Sequence, residues 1–136
     1  MSAVAVRPAT AVALALAGDL LAVLVFVAIG RRTHAEADAV LGVLATAGPF
    51  LVGLAAGWVP ARAWRAPLAL RTGLVVWPVT VIVGLAVRYA FTDRLPITFA
   101  LVTTISLAVL LLGWRAVAAL VATLADRRSR SRGTPA

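Results

Sequence analysis

Four stretches of this chain are apolar for nearly the length of a membrane crossing, and nothing else in it limits the possible folds so sharply. They cover residues 10–29, 39–59, 72–87 and 97–112. A helix needs about 20 apolar residues to cross a bilayer. Flanking residues complete the shorter runs, so helices are expected over about 10–30, 39–59, 70–90 and 97–122. Arg88 and Arg115 then lie inside helices and snorkel toward the interface. Apolar residues make up 62% of the chain and charged ones 13%. A soluble domain this small has too much surface to hide that much apolar area. The expected fold is all-α, a single bundle of four transmembrane helices over residues 1–125, followed by a basic, disordered tail over 126–136.

The first run invites a different reading. Arg7 and the "ALALAG" of residues 13–18 imitate a signal peptide and its cleavage site. The apolar run continues to Ile29, however, which is too long for an h-region and reads as an uncleaved helix.

All thirteen basic residues are arginine, against five acids, for a formal net charge of +8. No basic face interleaved with exposed aromatics points to nucleic acid. The arginines sit at the ends of the apolar runs, where positive charge marks the cytoplasmic side. With both termini inside, the cytoplasmic face receives Arg7, Arg62, Arg65, Arg71, Arg127, Arg128, Arg130 and Arg132. The outer face receives Arg31, Arg32, Arg88 and Arg94, together with Glu36, Asp38 and Asp93. This bias puts both termini in the cytoplasm and the chain in the cell membrane as a multi-pass protein, although Arg31 and Arg32 oppose it. The tail arginines should attract anionic lipid headgroups, at about 1 kcal/mol each near the surface. Trp58, Trp64 and the Trp114 of "LGWR" (112–115) read as interfacial anchors.

One acid, Asp19, stands inside the first run. A charged Asp at mid-bilayer costs about 2.5–3.5 kcal/mol on insertion scales, so it must be paired, hydrated or protonated. If the four helices start flush, a rise of about 1.5 Å per residue puts Asp19 near the midplane. Pro49, Thr80 and Ser106 fall at the same level, and Pro49 frees the carbonyl of Ala45. Two kinds of partner are open to the acid. Thr80 or Ser106 could hydrogen-bond its neutral form, and Arg88 or Arg115 could hold its ionised form. Stripes of small residues, including Gly53, Gly57 and Gly84, would let the helices approach closely.

Other motifs carry less. His34 and Asp38 of "HAEAD" share a helical spacing, but two ligands are too few for a metal site. With no cysteine and one histidine, neither a metal centre nor a cofactor is expected. No nucleophile elbow, phosphate loop or dinucleotide fingerprint occurs, so nothing argues for an enzyme. Arg31 precedes Gly57-Trp58 at nearly the distance at which Arg88 precedes Gly113-Trp114, a faint sign of an internal repeat.

Taken in order, "GDLLAVLVFVAIGRRTH", "GPFLVGLAAGW", the spaced Gly, Trp, Thr, Gly and Arg of the third run, and "LLGWR" resemble the domain of unknown function 3054 family, small membrane proteins of bacteria and archaea. The resemblance covers about residues 15–120. It includes Asp19, Phe26, Gly30, Arg31, His34, Pro49, Phe50, Gly53, Gly73, Arg88, Gly113, Trp114 and Arg115. It implies a four-helix membrane protein, supplies no activity, and groups Asp19, Arg31, His34, Arg88 and Arg115 as one constellation. The first functional expectation is a small transporter or channel-like protein using Asp19, as a homo-oligomer if solutes pass. Its rival is a non-catalytic scaffold or accessory subunit in which polar residues only hold helices together. A lipid-modifying enzyme ranks third.

Overall fold

A computed structural model of the chain describes residues 7–31 and 39–133. It is all-helical over that range: α1 spans Pro8–Arg31, α2 Ala39–Ala61, α3 Leu70–Thr92 and α4 Ile97–Gly133. Each is long and apolar enough to cross a membrane. The chain is a four-helix transmembrane bundle. Proline opens two of the helices, Pro8 as the first residue of α1 and Pro96 just before Ile97, where its missing N–H leaves no helical bond unmade. α3 stops at Asp93, whose left-handed backbone (φ 54°) turns its N–H back to the Tyr89 carbonyl at 2.7 Å.

The helices run up and down around a square. α1 packs on α2 and α4, and α3 packs on α2 and α4, while across one diagonal the Phe50 ring of α2 reaches the Phe99 ring of α4 at 6.4 Å. The α2–α3 seam is the tightest. A Cβ added at Gly53 would lie 2.5 Å from the Thr80 carbonyl oxygen, and one at Gly57 would lie 3.0 Å from that of Val76. A Cβ at Gly84 would run into the Phe50 ring. In lipid, where burial from water no longer drives helices together, such close backbone approach supplies the dispersion energy that does. Phe50 and Phe26 meet edge to face at 5.4 Å and join this seam to α1. Around them Val23, Val27, Leu54, Val76, Leu107 and Leu111 fill the core.

Two expectations from the sequence differ from this structure. α4 continues to Gly133, where the basic tail was expected to be disordered from residue 126. Arginine, a strong helix former, makes up four of the eight residues from Asp126 to Gly133. An Asp126–Arg130 pair at 3.4 Å, one turn apart, supports the extension. The helices also do not start flush. Phe26 faces Phe50, and Asp19 faces Trp58 near the end of α2, so α1 is slid along α2 toward the end where α2 and α3 connect.

Candidate functional site

Asp19 belongs to a stripe on α1 made with Ala15, Ala22, Val23 and Phe26, all buried at helical spacing. On α4, Thr103, Leu107, Leu111 and Arg115 recur every four residues and make the matching stripe, with Arg115 at its end. Two glycines open the space where these stripes converge. A Cβ at Gly18 would sit 2.9 Å from the Trp114 ring, and one at Gly73 would sit 3.0 Å from Cδ of Arg115. Both charged side chains are fully buried, at 0% exposure.

Their geometry is a closed set. Arg115 grips Asp19 with both arms of its guanidinium, Nη1 donating to Oδ1 at 2.7 Å and Nη2 to Oδ2 at 2.8 Å. The indole N–H of Trp114 donates to Oδ1 at 2.9 Å, and that of Trp58 to Oδ2 at 2.8 Å. Each carboxylate oxygen thus receives one guanidinium and one indole proton, which fills the four acceptor positions a carboxylate has. All four bonds are donated to the carboxylate, two by Arg115 and one each by Trp58 and Trp114. Arg115 spends its remaining reach on backbone, Nε on the Pro67 carbonyl at 3.1 Å and Nη1 on that of Leu111 at 3.2 Å. Its guanidinium also lies over the Trp114 ring at 4.4 Å. Low polarity strengthens every one of these contacts and would make any unpaired member costly. The cluster ties α1, α2, α4 and the α2–α3 connection at one point. Thr72 secures that connection from the other side, donating its hydroxyl to the Ala66 carbonyl at 2.5 Å.

The residues singled out in the sequence are distributed unevenly. Asp19 and Arg115 come together. Thr80 and Ser106 are not partners of Asp19, because the stagger of α1 carries the acid to the level of Trp58 and Pro67. Thr80 lies about 10 Å further along α3 than Gly73, and Ser106 about 14 Å along α4 from Arg115. The hydroxyls of Thr80 and Thr103 are buried and find no partner among the described residues. Ser106 lines a cleft of about 70 Å³ beside Phe26 and Leu110. Arg88 is about 22 Å along α3 from the cluster, with its guanidinium 4.4 Å over the Phe99 ring. His34 and the side chain of Arg31 lie outside the described residues. Gly53, Gly57 and Gly84 lie in the α2–α3 seam, and Pro49 is buried next to Phe50.

Trp58, Trp114 and the Pro67 carbonyl were not foreseen as partners of the acid. The two tryptophans looked like interfacial anchors. The signal that could have found them is the repeated Gly-Trp dipeptide, since both copies present their indole to the same carboxylate.

Among known families, the one described as "Protein of unknown function (DUF3054)" has a model that matches residues 16–118. That span contains Asp19, Trp58, Pro67, Trp114 and Arg115, and stops before the charged end of α4. No curated protein and no solved structure matches the chain.

Proposed function

The chain belongs to the DUF3054 family, and from that premise we propose that it works as a non-catalytic membrane scaffold or accessory subunit, with the Asp19–Arg115 cluster as its structural lock. One observation carries the reading: every acceptor position of Asp19 is occupied, by donors from two other helices. An acid that passes protons or cations must release one partner to take up another. Here each release would strand a buried charge, the costliest change available to such a site. The same completeness disfavours the transporter reading, in which Asp19 would face water.

The orientation with both termini in the cytoplasm belongs to this proposal, as does residence in the cell membrane. Its support is that Arg62, Arg65 and Arg71 sit beside the lock, at the end from which α4 extends with Arg127, Arg128, Arg130 and Arg132. Beyond Arg115, α4 runs for 18 more residues to Gly133, about 27 Å of helix. Most of that length is exposed, which gives an accessory protein a place to meet a partner or anionic headgroups.

Purified protein reconstituted in vesicles containing a pH-sensitive dye tests the reading. Proton flux should equal that of empty vesicles for the wild type and for Asp19→Asn alike, while Asp19→Asn lowers the melting temperature in detergent. A flux that the wild type supports and Asp19→Asn abolishes would overturn the scaffold in favour of transport.

A further inference from the structure

At the end of the bundle away from the lock, Arg88 has only an aromatic face for company. Its guanidinium stacks on Phe99, and no carboxylate meets it among the described residues. It is half-buried on α3, about 6 Å of helix before that helix ends at Thr92. Beside it, α2 and α3 part to leave a groove of about 480 Å³. Gly48, Pro49 and Val52 of α2 form one wall, and Val87, Arg88 and Phe91 of α3 the other. Gly48 stands in the open part of this groove, where a Cβ would meet nothing within 4 Å. Its rim faces outward, with Val52 53% and Phe91 84% exposed.

We propose that this groove binds an anionic phospholipid, one acyl chain lying against Gly48, Pro49 and Val52 and the headgroup phosphate held by Arg88. Three features fit that occupant together. The walls are apolar and open sideways along a membrane-spanning seam, where acyl chains are the solvent. The charge stands about one helical turn from the end of α3, at the depth where headgroups begin. A guanidinium with no counter-charge among the described residues, in a chain of net charge +8, suits an anion from outside, and arginine matches phosphate with two parallel hydrogen bonds. The site does not depend on the scaffold reading, and it is separate from the α4 arginines, which lie at the opposite end.

Native mass spectrometry of the full chain, released from nanodiscs of equal phosphatidylglycerol and phosphatidylcholine, tests this directly. The wild type should retain phosphatidylglycerol over phosphatidylcholine by about tenfold, because both offer a phosphate but choline sets a second cation beside the guanidinium. Arg88→Gln should erase the preference, Arg88→Lys should keep part of it, and Gly48→Leu, which fills the groove, should remove both lipids. Gly48→Ala is the milder plug if Gly48→Leu does not fold. Replacing Arg127, Arg128, Arg130 and Arg132 with glutamine should leave the preference in place. The proposal is overturned if Arg88→Gln keeps the preference, or if the four-arginine variant loses it. It is equally overturned if Gly48→Leu converts a dimer to a monomer without changing the bound lipid, since the groove would then be an interface between copies of this chain.

Discussion

Two polar regions are buried in this bundle, and they are treated in opposite ways. Around Asp19 each oxygen has two donors, the arginine is bonded on both sides, and four parts of the chain supply the partners. Further along the helices, the hydroxyls of Thr80 and Thr103 are equally buried and bond to nothing among the described residues. A neutral hydroxyl left unpaired costs about 1–3 kcal/mol, which a well-packed seam tolerates. An uncompensated charge costs several times more. One end of the bundle is therefore specified by polar chemistry and its middle by shape.

The largest test breaks the first half of that contrast. Asp19→Asn or Arg115→Met alone should lower stability by about 3–5 kcal/mol, since each strands a buried charge. The double variant Asp19→Leu/Arg115→Met should be less destabilised than the sum of the two single changes, as read by unfolding in mixed micelles. If both single variants unfold like the wild type, the cluster is not a lock. Trp58→Phe comes next. It leaves the pair intact but removes one donor from Oδ2, and a bond to a charged group is worth about 1.5–3 kcal/mol.

Shape is tested by two glycines of α2 that lie little more than one turn apart. Gly53→Ala puts a methyl 2.5 Å from a backbone oxygen of α3, which cannot rotate away as a side chain could. The seam must open, and overpacking of that kind costs about 1–3 kcal/mol. Gly48→Ala meets only open space and should gain up to about 1 kcal/mol from helix propensity. Thermal unfolding of both variants in one detergent would sharpen the distinction. Equal effects would mean that the seam is looser than its geometry.

The sequence made the four helices legible because the signal was long: apolar runs near 20 residues, punctuated by Pro67 and Pro96. It also offered Arg115 to Asp19, though only beside Arg88, Thr80 and Ser106. What it hid were relations between helices. Counting depth from flush ends puts Asp19 level with Thr80, and no single run reveals that α1 is slid along α2. Trp58 and Trp114 have the composition of interfacial anchors, and only the packed structure turns their N–H groups inward. The α4 extension is hard to read because a run of arginines resembles a solvated tail, while arginine is itself a strong helix former. The constellation of five residues implied by the family's motifs comes apart for a similar reason. Motif order says nothing about which end of a bundle each residue occupies, and Arg88 proves to lie far from Asp19.

The smallest expected effect is also the one that best separates a dry middle from a wet one. Thr80→Val and Thr103→Val replace a hydroxyl by a methyl of nearly the same shape. Where the hydroxyl has no partner, the exchange removes a buried polar group without opening a cavity and without losing a bond. Stability in detergent should therefore rise, by about 1 kcal/mol, the low end of what an unpaired hydroxyl costs. A loss greater than about 1 kcal/mol in either variant would mean that the hydroxyl does have a bond, with water as the available donor or acceptor. Water at Thr80 would lie about 10 Å from the Asp19 level, and a polar path through the bundle would again compete with the lock. The two threonines thus decide whether the contrast between a satisfied end and a bare middle is a property of the fold.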